Sequence, residues 1–581
     1  MMSFKAPPRA HKFAESPVLQ LRLPAWRSRF MGLLIIACFA VLIGRSFYLQ
    51  VLHNEFLQEK GESRYKRELE ISASRGRIAD RNGDILAVST PMKSIWAIPA
   101  DARLTPQQTK QLADLLEMDP KELSRRLASD KSFVFLRRQL PPEIGDRVAA
   151  LKLPGIGQDK EYRRYYPSGE MTAHVVGFTG VDDKGLEGVE LAFQNQLLGH
   201  AGSRSVIKDR RGQIVEDVGS IRPPQDGKDI RLSIDSKIQY LAYSHLKQAV
   251  SDHKAKAGGA VVIDAKTGEI LALVNLPTYN PNNRERLTGA QLRNRALTDT
   301  YEPGSVMKPF TAALALENGK VRFDSVINCA PGKLTIGTAT ISDAHPHGAL
   351  TVAQVIQKSS NVGTAKIAAM MTPQQMWEMF DAVGFGQPPG LGFPGEVSGR
   401  LRPWKTWKPI EQATMSYGHG LSVSLIQLAR AYMLFAREGD LIPLTLTRVE
   451  GDPVAATPVF SQQTAREVRA MLEMAAQPGG TAPKAQVQGY RVAGKTGTAY
   501  KIEGGQYVKK YVASFVGFAP VSDPRLVVAV MIDEPGGAAH YGGDVAGPIF
   551  SSVMGGSLRT LGVAPDAPIR VAQGVESKEK L

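Results

Sequence analysis

The chain carries one long apolar stretch close to its N-terminus. Residues 30–44 are mostly apolar and uncharged, and after Arg45 the apolar character resumes as far as Leu52. A helix needs about 20 such residues to cross the hydrocarbon of a bilayer, and the long stem of Arg45 lets its charge reach the headgroups. The pattern therefore predicts a transmembrane anchor over residues 30–52.

The charges before this stretch predict its orientation. Glu15 is the one acidic residue there, against the basic residues Lys5, Arg9, Lys12, Arg22, Arg27 and Arg29. Positively charged flanks stay on the cytoplasmic side, so residues 1–29 are predicted to form a cytoplasmic tail, with everything after residue 52 outside. The alternatives are a cleaved signal peptide and a lipoprotein signal ending at Cys38. No A-x-A site follows, however, and residues 39–43 continue the apolar run.

A mixed, irregular pattern follows the anchor. Residues 72–90 predict a strand, a turn and a second strand, with an Asn-Gly pair at residues 81–84 that supplies the positive backbone angles of a tight hairpin. Thr105, followed by a proline, predicts the start of a helix that Pro120 ends. The pattern continues to residues 220–227, whose prolines and glycine predict a linker.

The pattern becomes more regular beyond the linker. Short apolar runs alternate with turn residues near both ends of this part, and longer helical stretches lie between them. The predicted strands are residues 260–264, 270–274, 507–518 and 526–532, and the predicted helices are residues 307–316 and 352–367. Strands at both ends predict an α+β domain whose sheet closes from distant segments.

Composition and charge exclude several classes of function. A chain of 581 residues is too long for one ordinary domain, which predicts two or three globular units. The net charge of +15 comes from dispersed basic residues with no nucleic-acid motif, so an anionic membrane or polymer is favoured over nucleic acid. Cys38 and Cys329 are the only cysteines, and the histidines show no metal spacing, which excludes a disulfide framework and a thiolate metal site.

A Ser-x-x-Lys tetrad formed by Ser305 and Lys308 is the first candidate for chemistry. It places a hydroxyl and an amine one helical turn apart, and the lysine can take the serine's proton if burial or a nearby cation lowers its pKa. Pro303 and Gly304 end an irregular segment just before it, which puts the hydroxyl at a helix N-terminus. The plain alternative is a serine N-cap. The same tetrad begins at Ser63, Ser205, Ser244, Ser251 and Ser577, which are interpreted as caps, turns or solvated surface.

Two further segments support this tetrad. In Ser359-Ser360-Asn361 the outer two residues can face one site if the middle residue turns away, although hydroxyl residues before a helix are usually caps. Residues 494–498 read Gly-Lys-Thr-Gly-Thr within a predicted strand, where glycine permits a close backbone approach. A substrate lying along that strand edge would present a carboxylate to the lysine and the threonine hydroxyls.

A nucleotide-binding interpretation competes for the same residues. Residues 489–496 match a Walker A motif, and residues 527–533 resemble a Walker B strand. A P-loop must open a helix, however, and here Gly497 and a predicted hairpin turn follow at once. Residues 390–395 satisfy G-x-G-x-x-G, but Pro394 stands where a dinucleotide fold is already helical, which predicts a loop.

Ser-x-x-Lys, Ser-x-Asn and Lys-Thr-Gly in this order are the signature of penicillin-recognising serine enzymes. The chain resembles the class B penicillin-binding proteins, and most closely their septal, FtsI-type peptidoglycan D,D-transpeptidases. The matching stretches are RGRIADRNGDILAVSTP from Arg75, YRRYYPSGEMTAHVVGF from Tyr162, GLEGVELAF from Gly185, KDRRG from Lys208, PTYNPNN from Pro277, RNRA from Arg293, EPGSVMKPF from Glu302, GLGFPGE from Gly390 and YGHGLSVS from Tyr417.

The resemblance implies a role for each motif. Ser305 would be the nucleophile that attacks the penultimate D-Ala of a donor stem peptide, with Lys308 as general base. Ser359 would relay protons to the leaving D-Ala, and Asn361 would hold an amide of the substrate.

The Lys-Thr-Gly strand completes the implied site. Lys495, Thr496, Gly497 and Thr498 would be substrate-binding residues, the lysine and the threonines holding the terminal carboxylate. Backbone N–H groups of Ser305 and Thr498 would form the oxyanion hole. No cofactor or metal is expected, and β-lactams would acylate the same serine.

The resemblance also implies an architecture. After the transmembrane helix it gives an elongated, mixed pedestal (dimerisation) domain over residues 53–220. A transpeptidase domain over residues 228–563 follows, with an antiparallel sheet flanked by helices plus a helical subdomain, and residues 564–581 form a flexible tail. The charged and glycine-rich cluster from Arg75 to Gly83 is predicted to be structural.

The implied partners are stem peptides ending in D-Ala-D-Ala, β-lactams and division-complex proteins, including an FtsW-type glycosyltransferase that polymerises lipid II. The protein would be a single-pass protein of the cell inner membrane, with its catalytic domain in the periplasm. Two alternatives stay open: a β-lactamase or D,D-carboxypeptidase on the same fold, and a non-catalytic penicillin-binding sensor or scaffold. The absence of an output domain in residues 1–29 counts against the sensor.

Overall fold

The computed structural model describes residues 24–52, 66–208, 214–451 and 455–568. Most of the predicted cytoplasmic tail (residues 1–23), part of the KDRRG stretch and most of the predicted C-terminal tail (residues 569–581) lie outside the described residues. The strands of the larger sheets and hairpins are β1 Lys66–Ile71, β2 Ile78–Ala79, β3 Ile85–Ala97, β4 Val134–Leu140, β5 Ile156–Tyr165, β6 Gly202–Lys208, β7 Ile214–Arg222, β8 Ile230–Arg231, β9 Ala257–Asp264, β10 Ile270–Leu276, β11 Val326–Asn328, β12 Lys333–Ile336, β13 Ala339–Ser342, β14 Ala349–Thr351, β15 Ala493–Glu503, β16 Gln506–Ala519 and β17 Leu526–Asp533.

The longer helices surround these strands. They are α1 Ala25–Phe47, α2 Pro106–Leu116, α3 Pro120–Leu127, α4 Pro142–Ala150, α5 Ser236–Asp252, α6 Lys308–Glu317, α7 Val352–Lys358, α8 Asn361–Ala368, α9 Pro373–Val383, α10 Pro409–Met415, α11 Leu425–Ala436, α12 Gln462–Ala476 and α13 Gly547–Thr560. The mixed α+β content agrees with the fold class predicted from the sequence.

The described residues form two compact units, and the first contains the apolar helix. This unit comprises residues up to Ile71 together with Gly202–Pro223, and its strands make a three-stranded antiparallel sheet in the order β1-β6-β7. Helix α1 and the turn after it cover Ala25–Gln50, in which an 18-residue window reaches a mean hydropathy of 2.2, and α1 has no buried residue. Among the described residues this is the one helix long and apolar enough to cross a membrane.

The second unit comprises Ser72–Ala201 and Pro224–Leu581, and its first part is built on a five-stranded sheet. Strand β3 is central and pairs antiparallel with β2, β4 and β5, and β8 pairs parallel with β2. The predicted hairpin of residues 72–90 is confirmed, because β2 and β3 pair antiparallel around the Asn-Gly turn. Arg75 of this segment and Arg164 of β5 each contact the buried Glu190 at 2.6 Å.

The prediction that Pro120 ends a helix is wrong. Helix α2 begins after Thr105, as predicted, with the Thr105 side chain forming a capping box, and it ends at Leu116, before the proline. Pro120 instead occupies the first turn of α3, with Asp119 as the N-cap. A proline fits there because the first N–H groups of a helix have no intrahelical partner, so the same residue type marks a start as readily as a stop.

An antiparallel five-stranded sheet organises the rest of the second unit. Its order is β10-β9-β17-β16-β15, so that strands from both ends of this part lie side by side, as predicted. Alternate residues of β17 enter different hydrophobic clusters: Val527, Ala529 and Met531 pack into one, and Val528 and Val530 into the other. The two-residue period of a strand thus buries both faces of the sheet.

Helices cover both faces of this sheet. Helices α5 and α13 pack on one face and α11 on the other. Helix α6 lies within the larger cluster, and its residues from Lys308 to Ala315 are all buried. Because β15 pairs only with β16, one long side of β15 remains an edge of the sheet.

The prediction of one continuous helix over residues 352–367 is wrong, because the segment forms two helices with a break between them. Helix α7 ends at Lys358, and Ser359 adopts a left-handed backbone conformation with φ of 61°. Ser360 then caps the new helix α8 by accepting a hydrogen bond from the Gly363 backbone. A non-glycine residue with positive φ is costly and occurs preferentially at functional sites.

Candidate active site

The Ser305 hydroxyl lies at the start of a buried helix, as the sequence predicts. Gly304–Met307 forms a single 3₁₀ turn that leads directly into α6. The turn is held from behind, where the Tyr432 hydroxyl donates to the Val306 carbonyl at 2.8 Å. Ser305 lines a cleft of about 940 Å³ and is the only residue of its turn to do so.

Lys308 lies behind the nucleophile and is fully buried. Its Nζ donates to the backbone carbonyl of Ser359 and, at 3.0 Å, to the Ser359 Oγ. Burial, and then the positive charge of Lys495, hold the pKa of Lys308 well below its usual range, against an opposing pull from Asp343. This is the condition under which a lysine takes a proton near neutral pH.

The turn between α7 and α8 carries the second motif. Ser359 and Asn361 both line the cleft, and the Asn361 Nδ2 donates to the Ser342 carbonyl at 2.9 Å. The left-handed conformation of Ser359 directs both its hydroxyl and its carbonyl to Lys308. The break that the helical pattern did not predict therefore brings this segment to the lysine.

Asp343 holds this turn from beneath. Its Oδ2 accepts from the Ser360 hydroxyl at 2.8 Å, and its Oδ1 accepts from the Val362 backbone at 2.9 Å. Ser360 is 1% exposed and also caps α8, so it is the residue that turns inward, as the motif requires. Sequence reasoning missed Asp343, because nothing in its own segment marks it as a partner of residues 17 to 19 positions later.

The third motif lies on the edge strand β15. Thr496 and Thr498 line the cleft, whereas Lys495 and Gly497 lie behind its surface. A Cβ on Gly497 would come within 2.8 Å of the Pro303 carbonyl and 3.2 Å of Val306. The Ser514 Oγ of β16 would lie closer still. The glycine therefore permits a close approach of β15 to the nucleophile turn, and its predicted role in substrate binding stays a prediction.

Lys495 is completely buried, with the side chains of Thr481 and Thr496 next to its amine. Its Nζ lies 3.2 Å from Thr496 Oγ1 and 3.5 Å from Thr481 Oγ1. Burial lowers the pKa of Lys495 to about 7. Thr481, whose Oγ1 accepts from Thr496 at 3.0 Å, was not predicted, because it lies in a loop outside every motif.

An aromatic wall, formed by Tyr500, Tyr511, His540 and Tyr541, closes one side of the cleft. Tyr500 and Tyr511 face each other across β15 and β16 with ring centroids 4.9 Å apart, and His540 stacks on Tyr511 at 4.3 Å. No pattern in the sequence predicts this wall, because its four residues become neighbours only when β16 and the loop before α13 pack together.

Comparison with known proteins agrees with this geometry. Residues 258–555 match the description "Penicillin binding protein transpeptidase domain", and residues 70–232 match "Penicillin-binding Protein dimerisation domain". The chain is 45% identical over 552 residues to a probable peptidoglycan D,D-transpeptidase PenA of Neisseria gonorrhoeae, with 94% of each chain covered. The chain belongs to the class B penicillin-binding proteins.

Other relatives of this penicillin-binding protein extend the comparison. It is 42% identical over 551 residues to the peptidoglycan D,D-transpeptidase FtsI of Escherichia coli, covering 94% of this chain and 93% of that one. Among solved structures, the apo TP domain of Burkholderia pseudomallei penicillin-binding protein 3 is 53% identical. That comparison covers 58% of this chain and 98% of that one, with a TM-score of 0.54.

The other Ser-x-x-Lys tetrads lie away from the cleft or outside the described residues. Ser63 and Ser577 lie outside the described residues, and Ser244 and Ser251 lie on α5. Ser205 was interpreted as a cap, turn or surface residue, which is wrong, because it is buried within β6. The nucleotide-binding alternative is excluded, since the residues after the Walker A match continue as strand β15 and open no helix.

Thr481 provides a test of the predicted binding of the ligand's carboxylate by Lys495, Thr496 and Thr498. Thr481→Val keeps the shape of the side chain and removes one hydroxyl, so we expect non-covalent binding of penicillin to weaken about fivefold, the worth of one hydrogen bond of about 1 kcal/mol. The rate of the following acylation step should change by less than about twofold. Stopped-flow kinetics separates the two quantities. Thr560→Val on α13 is the control, and an unchanged dissociation constant for Thr481→Val would exclude Thr481 from the binding group.

Proposed function

We propose that this chain is a peptidoglycan D,D-transpeptidase that cross-links stem peptides through an acyl-enzyme on Ser305. The observation that carries the proposal is the buried amine of Lys308. This lysine lies one helical turn after Ser305, and its Nζ contacts the Ser359 Oγ. A lysine with a lowered pKa, a serine at a cleft and a second serine in contact with the lysine are the groups that amide-bond transfer needs.

The reaction proceeds in two halves. Ser305 Oγ attacks the penultimate D-Ala carbonyl of the donor and gives its proton to Lys308 Nζ. The amide C–N bond then breaks, and the terminal D-Ala leaves with a proton relayed through Ser359 Oγ. An amine of a neighbouring stem peptide attacks the ester, loses its proton along the same route, and forms the cross-link as Ser305 regains its hydrogen.

The remaining motif residues bind and polarise the donor. The Thr496 and Thr498 hydroxyls, with the positive charge of Lys495 beneath them, hold the terminal carboxylate. Asn361 holds a donor amide. The backbone N–H groups of Ser305 and Thr498 form the oxyanion hole, and Gly497 supports it, because a side chain there would push β15 away from the nucleophile turn.

The same proposal places the enzyme at the division septum of the cell inner membrane. Helix α1 crosses the membrane once, and the basic residues before it keep residues 1–29 in the cytoplasm and the catalytic domain in the periplasm. The anchor spans residues 30–52, and residues 53–220 act as the pedestal that docks division proteins. An FtsW-type, lipid II-polymerising glycosyltransferase is among these partners. Residues 228–563 carry out the transfer, and residues 564–581 form the tail.

Mapping the penicillin adduct tests this function. We expect a fluorescent penicillin to label the intact protein with one equivalent and to persist for hours. Trypsin does not cleave before Pro309, so the adduct should appear on residues 296–320, in which Ser305 is the only serine. An adduct on any other peptide would contradict the assignment. Release of the label within seconds would favour the hydrolytic alternative.

A further inference from the structure

A carboxylate that the reaction does not use lies three residues before the nucleophile. The Glu302 Oε1 accepts from the Gly420 backbone at 2.8 Å, and the Oε2 lies 3.1 Å from the His419 Nδ1. The Tyr507 hydroxyl donates to the same carboxylate, at 3.2 Å to Oε1 and 3.0 Å to Oε2. One side chain therefore joins three segments that are distant in sequence.

The protonation states of Glu302 and Tyr507 favour a stable hydrogen bond between them over a role for Glu302 as a base. Burial alone would raise the pKa of Glu302, but hydrogen bonds from His419, Gly420 and Tyr507 outweigh it and lower that pKa. Burial and the Glu302 charge raise the pKa of Tyr507, so its hydroxyl stays protonated and donates. Glu302 is not among the residues that line the cleft, although its partner His419 is.

Tyr507 lies at the far end of the hairpin that carries the carboxylate-binding threonines. It pairs with Ile502 of β15, beyond Thr498. This end packs little against the core. Ile502 and Tyr507 are both about half exposed, and among the described residues no non-neighbouring atom lies within 4 Å of the position that a Cβ of Gly504 or Gly505 would take. A hairpin end with so little packing needs polar contacts to stay in place.

Polar contacts hold the hairpin end from two sides. Lys501 contacts Asp533 and Glu534 at 2.7 Å, and Lys510 lies 3.7 Å from Glu534, which fixes the hairpin to the end of β17 in its own sheet. On the other side, the Tyr507 hydroxyl donates to Glu302, just before the nucleophile turn. The Tyr507–Glu302 contact therefore adds to the direct packing of β15 on this turn at Gly497.

We infer that Glu302 and Tyr507 are positioning residues whose hydrogen bond holds the end of the β15–β16 hairpin against the nucleophile turn. The contact keeps the spacing between Ser305 and the edge of β15 at the width that a bound donor peptide requires. Tyr500 of the aromatic wall lies between Thr498 and the hairpin end, so it is held by the same contact. The inference rests on the proposed function, because it concerns acylation of Ser305.

Tyr507→Phe is the sharpest test, since it removes one oxygen outside the cleft. We expect the second-order rate constant for acylation by a fluorescent penicillin to fall about fivefold, with labelling still complete on long incubation. Hydrogen exchange of residues 501–508 should become faster while the core strands are unchanged. Tyr240→Phe, at an exposed tyrosine on α5, is the matched control and should behave like the unmodified protein.

A double-mutant cycle distinguishes a shared contact from two separate effects. Glu302→Ala removes both carboxylate oxygens, and the double variant with Tyr507→Phe should be no slower than Glu302→Ala alone, since both changes break the Tyr507–Glu302 hydrogen bond. The inference would be overturned if the losses in acylation rate of the two single variants add up in the double variant. It would also be overturned if Tyr507→Phe has the same acylation rate and the same hydrogen exchange as the Tyr240→Phe control. If the unmodified protein is not acylated at all, the proposed function fails instead, and the exchange measurement still tests the contact.

Discussion

Replacing Lys308 by methionine is expected to lower the rate constant for acylation by penicillin about 10³-fold, within the range that a positioned general base contributes. Methionine keeps the length of the side chain within the core but cannot take the proton of Ser305. The loss should appear in the chemical step, because Lys308 does not line the cleft and so contributes little to the first encounter. Stopped-flow fluorescence with a reporter penicillin measures both steps.

Arginine at the same position separates basicity from hydrogen bonding. Lys308→Arg keeps N–H donors for Ser359 but stays protonated at every accessible pH. We therefore expect it to be as slow as Lys308→Met, although it retains a positive charge. Lys237→Met, at an exposed lysine on α5, is the control. If Lys308→Arg acylates within about tenfold of the unmodified protein, another group is the base.

The sequence predicted those parts of the site that depend on local spacing. Ser305 and Lys308 are one helical turn apart in any helix, so their proximity needed no knowledge of the fold. The apolar stretch that became α1 and the Asn-Gly hairpin between β2 and β3 are local in the same sense. The order of the three motifs, together with the resemblance that they carry, supplied the expectation that they share one cleft.

The remainder depended on contacts that no local pattern encodes. Ser359 breaks a segment whose apolar spacing continues through it, and the break is stabilised from outside the segment by Asp343. Thr481 becomes a partner of Thr496 only because its loop packs against β15.

The assignment of Gly497 to substrate binding stays a prediction. The pattern indicated a close approach at this glycine without revealing the approaching group. In the structure a Cβ on Gly497 would meet the Ser514 Oγ of β16 and the Pro303 carbonyl just before the nucleophile turn. The glycine therefore acts on the chemistry by letting β15 and the nucleophile turn meet, which any side chain would prevent.

Raising the pH from 7 to 9 is expected to weaken the non-covalent binding of penicillin about 10²-fold through Lys495. Burial lowers the pKa of Lys495 to about 7, so above that pH the free enzyme has lost the charge that attracts the ligand's carboxylate. A bound carboxylate favours the protonated amine, so each complex must take up a proton, and the affinity falls about tenfold per pH unit. Below pH 7 the lysine is already charged and the affinity should level off.

Lys495→Arg tests whether this lysine is the cause. Arginine stays charged across the range, so the dissociation constant of the variant should be independent of pH between 7 and 9, even if its binding is weaker throughout. The rate of acylation should instead rise with pH, because Lys308 must be unprotonated to act as a base. Measuring the dissociation constant and the acylation rate constant at each pH separates the effects of the two lysines. An unchanged pH dependence of affinity in Lys495→Arg would show that the charge on Lys495 does not hold the carboxylate, which leaves Thr496 and Thr498 to bind it by hydrogen bonds alone.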